Sequence, residues 1–308
     1  MSLKERFESE RQNKTFRRID DKHNLDWFIG YNEDDKKQLV LVTCGVLSKV
    51  ESTKFIISKL EKRIDDKLSL SFTLIDNEYE DIYYKFCEDM IEITRDSDSN
   101  SNVLDFVLMR WNMWRLTFKN NNKNLTENEV KGVIGELLFL KEVMVPKYGL
   151  EKSIMAWQGP LNYHKDFEIN NEWYEIKTVS DNSSTLKINS IQQLEDFSNK
   201  TGELCLVVLT NTNIENDMHI TLNKLVNLVD RIIVDMKLKR VFWEKMNRLG
   251  YIFDIEYDNY IYELNNIYRY DVSNDRFPKI VSQDLKRGIV NVSYEISISE
   301  LKEFIIGE

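Results

Sequence analysis

Asp166, Glu175 and Lys177 stand close together in the stretch HKDFEINNEWYEIKT, which runs from His164 to Thr178. Asn170-Asn171 suits a two-residue hairpin loop, because asparagine tolerates the positive φ such turns need. With that loop, Ile169 pairs with Glu172, Glu168 with Trp173 and Phe167 with Tyr174, and Asp166 falls opposite Glu175. Side chains alternate between the faces of a strand. Phe167, Ile169, Tyr174 and Ile176 therefore share an apolar face, and Asp166, Glu168, Trp173, Glu175 and Lys177 share the other. Directly opposed residues have Cβ atoms about 4.5–5.5 Å apart, and like charges at that spacing repel. Either one carboxyl keeps its proton or a cation bridges the pair. Oxygen donors without His or Cys suit Mg2+ or Mn2+. A divalent cation and the Lys177 ammonium on one acidic hairpin fit phosphodiester hydrolysis: the cation activates a water and polarises phosphoryl oxygens. The lysine orients that water and offsets charge developing in the transition state. The plainer alternative is a solvated edge of ordinary ion pairs. Glu-x-Lys also occurs at Glu129/Lys131 and Glu300/Lys302, but neither has an aspartate set opposite by a hairpin.

The elements that must position these residues are legible on either side. Upstream, TENEVKGVIGELLFLKEV opens with a capping-box pattern, Thr126 with Glu129, and carries a core stripe of Val130, Val133, Ile134, Leu137 and Leu138. Gly132 and Gly135 lie inside this helix. Each costs on the order of 1 kcal/mol relative to Ala, which predicts that something approaches the backbone there, with Glu136 in the dent. SIMAW reads as a short apolar strand before the hairpin. SIQQLEDFSNK reads as a helix after it, and ELCLVVLT as a fully buried strand. Further on, 221–251 suggests two helices. NYIYELNNIYRYDV and GIVNVSYEISI suggest strands, and the chain ends in a predicted helix.

The order of helix, strand, hairpin, helix and strand, together with Asp166 and Glu175-Ile176-Lys177, resembles the PD-(D/E)XK nuclease superfamily of restriction-endonuclease-like proteins. The resemblance implies an α/β (α+β) fold, a restriction-endonuclease-like core in which helices flank a mixed sheet. It implies that Asp166, Glu175 and the main-chain carbonyl of Ile176 hold Mg2+ or Mn2+, with Lys177 catalytic. It also implies a glutamate from the preceding helix, matched by Glu136, and in some branches a glutamine from the following helix, matched by Gln193 or Gln192. The superfamily's proline before the aspartate is absent, with Lys165 in its place. AWQGPLNYHKDFEI, RFPKI and GIVNVSYEI are similar to a bacterial branch found beside methylase and ATPase or helicase genes in restriction-like defence clusters. The partners so implied are DNA, a methylase, an ATPase or helicase, and a second copy in a homodimer.

In the first hundred residues, WFIGY, KQLVLVTCG, TKFIISKLE and KLSLSFTLI are short β-rich runs, followed by a helical pattern over 78–96. DSDSNSN, Asp96 to Asn102, reads as a polar linker. VLDFVLMRWNMWRLTFK then reads as a helix apolar nearly all round and buried between layers. Trp111 and Trp114 on it are expected in the core rather than as a base-stacking platform. KNNNKN, Lys119 to Asn124, marks a boundary between an N-terminal α+β domain (1–120) and a nuclease-like domain (121–308). In the latter the core spans about 125–215 and an extension 216–308.

Composition limits the alternatives. At 42% hydrophobic and 11% aromatic the chain can bury a sizeable core. Three cysteines and three histidines, all scattered, fit neither a disulfide framework nor a His-based zinc site and suit a reducing cytoplasm. The charged start MSLKERFESERQNKTFRR has no apolar stretch of the kind a signal peptide carries, and no 18-residue apolar run is present. The formal net charge of −10 argues against a simple basic DNA-binding domain, but not against a local basic groove. Lys237, Lys239, Arg240, Lys245 and Arg248, with Arg231, make 231–248 locally basic and are candidates for phosphate contacts, or else a solvated helical face. The expected activity is a cytoplasmic, Mg2+-dependent DNA endonuclease in restriction or phage defence. The rivals are a catalytically silent DNA-binding or scaffold subunit, and a phosphoesterase acting on RNA or nucleotides.

Overall fold

The computed structural model describes residues 3–13, 15–95, 97, 102–120, 124–161, 163–195, 200–213 and 219–307. The polar linker expected at 96–102 and the boundary at 119–124 lie mostly outside the described residues, as does the second half of SIQQLEDFSNK. The chain forms two compact units: 1–124 with 250–254, and 125–249 with 255–308.

The first unit is a five-stranded antiparallel sheet with helices. Its elements are α1 (Leu3–Asn13), β1 (Arg17–Arg18), β2 (Asp26–Tyr31), β3 (Lys37–Thr43), β4 (Ile56–Lys62), β5 (Leu68–Leu74), α2 (Glu80–Ile93) and α3 (Asn102–Asn120). The strand order is β1-β2-β3-β5-β4. Alternate residues of β3 and β5, among them Leu39, Leu41, Leu70 and Phe72, enter one core with Phe86, Trp111 and Trp114. Both tryptophans are shielded from solvent, so neither forms a stacking platform. Arg110 grips the buried Asp89 through two hydrogen bonds of 2.7 Å, and Trp114 Nε1 donates to the same carboxylate at 2.6 Å. A buried ion pair of this kind is tolerable because its hydrogen-bonding capacity is met.

The second unit contains α4 (Glu127–Phe139), α5 (Val145–Tyr148), α6 (Leu150–Ala156), β6 (Phe167–Ile169), β7 (Glu172–Ser180), β8 (Thr185–Ile188) and β9 (Thr201–Asn211). After these come α7 (Leu222–Ile232), α8 (Met236–Arg248), β10 (Tyr262–Asp271), β11 (Tyr294–Ser297) and β12 (Ile305–Gly307). Its sheet has the order β12-β10-β9-β7-β6, with β7 and β9 parallel and the other neighbours antiparallel. β8 and β11 form a separate two-stranded ribbon. This mixed sheet with flanking helices is a restriction-endonuclease-like α+β arrangement. No helix among the described residues is long and apolar enough to cross a membrane.

Four expectations need correction. SIMAW is not a strand: Ser153, Ile154 and Ala156 belong to α6, and only Trp157 makes an isolated antiparallel bridge, to Phe167. SIQQLE is no α-helix but a single 3-10 turn at Ile191–Gln193. The GIVNVSYEISI strand begins only at Tyr294, after an exposed Ile289 and Val290. The terminal helix is a 3-10 stretch, Ile298–Phe304, that runs into β12. In each case the segment was too short for its period to settle the element, and tertiary partners decided it.

Candidate active site

The hairpin has the register its sequence dictates. Phe167 pairs with Tyr174, Glu168 with Trp173 and Ile169 with Glu172. Asn170 takes the left-handed conformation at the tip, with φ of 52°. The apolar face buries Phe167, Tyr174 and Ile176, and Phe139 at the end of α4 lies 5.4 Å from the Phe167 ring and 5.3 Å from that of Tyr174.

The ladder does not continue to an Asp166–Glu175 pair. Asp166 N–H donates to Tyr174 O at 3.1 Å, and its carbonyl turns away to accept from Gln158 N at 2.7 Å and Gly159 N at 3.0 Å. Its side chain takes over the vacated ladder position. Ile176 N–H donates to Asp166 Oδ2 at 2.7 Å, leaving Oδ1 aimed elsewhere.

Gly159 shows where. A Cβ at that residue would lie 2.6 Å from Glu136 Oε2 and 3.0 Å from Asp166 Oδ1. The two carboxylates thus meet in the space left by the glycine's missing side chain. Glu136 reaches it from α4, whose start is fixed by the expected capping box: Thr126 N–H donates to Glu129 Oε2 at 2.8 Å, and Glu129 N–H to Thr126 Oγ1 at 3.4 Å. Gly135 lets α4 settle onto β7, since a Cβ there would stand 1.9 Å from Thr178 Oγ1. Trp157 Nε1 donates to Glu136 Oε2 at 2.6 Å.

Glu175 is buried on β7, and Lys177 Nζ donates to its Oε1 at 2.7 Å. Burial and the charge of Asp166 push the Glu175 carboxyl up to about 8. Burial likewise raises Asp166, and burial with the charges of Asp166 and Glu175 raises Glu136 well above the carboxylate range. Lys177 offsets part of this at all three. Carboxylates from a helix, a strand edge and a sheet interior therefore share one field short of positive charge.

Among the described residues no group of three or more His, Cys, Asp or Glu side chains is placed to hold a metal ion. Mg2+ and Mn2+ do not require one, because one or two carboxylates with waters and substrate oxygens suffice. The donors fit such an ion: hard oxygens only, mutually repelling, with Asp166 Oδ1 turned from the ladder.

The remaining candidates fall outside this cluster. Gln193 Oε1 accepts from Asn189 N–H at 2.7 Å, which ties the amide to its own turn. Gln192 lies in the same 3-10 turn. Glu168 is ion-paired with Lys200. Lys239 pairs with Asp230 at 2.9 Å, and Arg240 with Glu244 at 3.0 Å. Lys237, Arg248 and Arg231 are exposed. Lys245 is no surface cation. It is 5% exposed, and its ammonium donates to Ile154 O at 2.7 Å, Met155 O at 3.2 Å and Trp157 O. It thereby satisfies the open carbonyls at the end of α6, where Trp157 begins its reach to Glu136.

Trp157 and Gly159 lie in the AWQGPL stretch, but sequence reasoning assigns neither a role, and it assigns Lys245 a surface one. Lys165 is a similar case: in the proline's place, its Nζ bonds Gln193 O at 2.8 Å and Glu195 O at 2.9 Å and lies 3.4 Å from the Trp173 ring centroid. One signal was available for Lys245, its helical phase with Phe242 and Met246.

A family model described as "Putative PD-(D/E)XK family member" (DUF4420) matches residues 3–299. The chain belongs to this family. DUF4420 membership carries with it a nuclease-type fold, and PD-(D/E)XK nucleases typically use divalent metals. No curated protein and no solved structure matches the chain.

Proposed function

We propose that this DUF4420 protein is a metal-dependent endonuclease that hydrolyses phosphodiester bonds in DNA, acting in the cytoplasm in restriction or phage defence. The observation that carries the chemistry is the meeting of Glu136 Oε2 and Asp166 Oδ1 around Gly159, with Glu175 and its Lys177 partner on the adjoining strand. Asp166 and Glu175 would hold Mg2+ or Mn2+, and a bound ion supplies Lewis acidity and a water of lowered pKa. Asp166 is oriented for this by the Ile176 N–H, which fixes one oxygen and frees the other. Lys177 offers an ammonium to the attacking water and to charge growing on the phosphoryl oxygens. Glu136, held by Trp157, adds negative charge that strengthens cation binding. The defence setting and the DNA preference rest on the resemblance of the sequence to a restriction-associated branch.

The test is plasmid and linear DNA incubated with the protein and Mg2+ or Mn2+, beside EDTA controls and Lys177→Ala and Glu175→Ala variants. Metal-dependent cutting lost in both variants is the expected result. Equal cutting by wild type and both variants would sink the assignment of the site. DNA binding without cutting under any metal would favour the silent-subunit reading instead.

A further inference from the structure

The chain enters the hairpin through an exposed stretch: Tyr163 is 64% exposed, and His164 is also on the surface. Lys165 ends that exposure one residue before Asp166. Its Nζ donates to Gln193 O at 2.8 Å and Glu195 O at 2.9 Å, and lies 3.4 Å from the centroid of the Trp173 ring. An ammonium has three donors. Here two serve carbonyls while the charge rests on an aromatic face, which attracts it.

Both anchors are themselves braced. Trp173 is buried on β7, two residues before Glu175, and a Cβ at Gly202 of β9 would stand 2.0 Å from its ring. The indole therefore fills the space that the glycine leaves. In the 191–195 turn, Leu194 N–H and Glu195 N–H both donate to Ile191 O, at 3.1 and 2.9 Å. Ser282 grips the same turn, its N–H and Oγ donating to the buried Glu195 carboxylate at 2.8 and 2.6 Å. Lys165 thus clamps the hairpin entry to the strand that carries Glu175 and to a turn held by a distant segment.

Asp166 is otherwise fixed by its main-chain bonds to Tyr174, Gln158 and Gly159 and by the Ile176 N–H on Oδ2. The clamp adds an anchor immediately upstream. A proline at that place would stiffen the chain by locking φ. With lysine there instead, side-chain contacts supply the restraint.

We infer that Lys165 is a positioning residue for the carboxylate site: by clamping the hairpin entry to Trp173 and the 193–195 turn, it keeps Asp166 Oδ1 aimed where a divalent cation binds. The inference rests on the proposed metal-dependent reading of the site, and adds to it what fixes the chain from which Asp166 reaches. With its ammonium given to the turn and the indole, Lys165 acts through Asp166 rather than on the substrate.

The experiment compares wild type with Lys165→Met, Lys165→Arg and Ser282→Ala by thermal melting and by calorimetric Mn2+ binding well below every melting temperature. Methionine can lie on the indole but cannot donate. Removing a group that orients a metal ligand typically costs 10–100-fold in affinity, so Lys165→Met should weaken Mn2+ binding about tenfold or more. Its melting temperature should also fall by several degrees, because two carbonyls lose their donor. Arginine keeps the charge, the donors and the stacking, and Lys165→Arg should bind Mn2+ within about threefold of wild type. Ser282→Ala loosens the same turn without touching Lys165. It should melt earlier yet stay within about twofold of wild type in Mn2+ affinity, since no ligand-orienting contact is lost.

Wild-type Mn2+ affinity in Lys165→Met would overturn the inference and leave the lysine a brace for the fold alone. An equal loss of affinity in Ser282→Ala and Lys165→Met would also overturn it, since turn stability would then set the site. A wild-type protein that binds no Mn2+ would remove the metal-dependent reading, and this inference with it. Tight binding by wild type and Lys165→Met alike would remove the inference and spare that reading.

Discussion

Trp157 donates its indole N–H to Glu136 Oε2 at 2.6 Å, and its ring lies near-parallel to Phe167, 6.4 Å away, beside the strand that delivers Asp166. One aromatic residue thus touches the helix and the hairpin that supply two of the three carboxylates. Removing the N–H while keeping an aromatic ring at this position separates these roles. Trp157→Phe should fold as wild type does but leave Glu136 without its donor. A hydrogen bond to a charged group contributes about 1.5–3 kcal/mol, so metal-dependent cleavage should fall about tenfold, with near-UV circular dichroism nearly unchanged. Wild-type rates in this variant would show that Glu136 needs no fixing.

Lys245 sets Trp157 from behind. Its ammonium serves the last carbonyls of α6, and methionine can fill its volume but cannot donate. Lys245→Met should cost about 1–3 kcal/mol in urea unfolding, the range for stranding a buried acceptor. A lysine that met DNA phosphates would instead reduce the salt dependence of DNA affinity by about one counterion. The slope of log affinity against log salt should therefore be unchanged. A flatter slope at full stability would return Lys245 to the surface.

At Gly159 the expected damage is to chemistry rather than stability. The Cβ of Gly159→Ala would press on Glu136 Oε2 and Asp166 Oδ1, the ends of side chains that can give way. The fold should lose little, and the melting temperature should drop by no more than about 3 °C. The carboxylates would be displaced, and misplacement by about 1 Å can cost roughly 100-fold in rate. Cleavage should fall by that order. A variant with full activity would mean that the two oxygens do not work from this space.

Much of this arrangement was legible because local rules and tertiary structure agreed. The hairpin register followed from the period-two alternation around Asn170-Asn171, and α4 from its capping box and apolar stripe. Asp166 departed from the regular ladder because its backbone is claimed by Gln158 and Gly159, contacts no strand pattern encodes. SIMAW was illegible for a related reason. Its helical end is secured by Lys245, 91 residues beyond Ile154, and five letters cannot announce a partner so distant. The same distance hid Lys245 itself, since a lysine in a basic segment reads as surface until its phase with Phe242 and Met246 is noticed. Gly132 and Gly135 looked alike in sequence, and only the structure separates the one that packs from the one that faces open space.

Gly135→Ala makes that separation measurable. Alanine is the better helix former, yet its Cβ would collide with Thr178 Oγ1 and Cβ, at 1.9 and 3.1 Å. Overpacking of this kind costs about 1–3 kcal/mol, so the variant should unfold at lower urea. Thr178→Ala removes the struck hydroxyl, and the double variant should recover part of the loss. Equal destabilisation in the single and double variants would show that α4 does not rest on β7 at this point.

The carboxylate cluster also fixes how stability responds to pH when no divalent ion is bound. Glu175 ionises near 4.5 when unfolded and near 8 when folded, because burial and Asp166 oppose its charge. The folded state therefore binds the proton more tightly. Stability from this group is fully present below about pH 4.5 and is lost as pH rises toward 8. Asp166 and Glu136 are shifted in the same direction and add to that slope. In EDTA, unfolding free energy should thus decline between pH 5 and 8, and Glu175→Gln should flatten the decline while raising stability at pH 8 by on the order of 1–3 kcal/mol. With saturating Mn2+ the wild type should gain stability over the same window, since deprotonation completes the site, and Glu175→Gln should lose most of that gain. Urea titrations at several pH values, with and without Mn2+, measure all four slopes. A wild-type slope that Mn2+ leaves untouched would mean that no divalent ion binds among Glu136, Asp166 and Glu175.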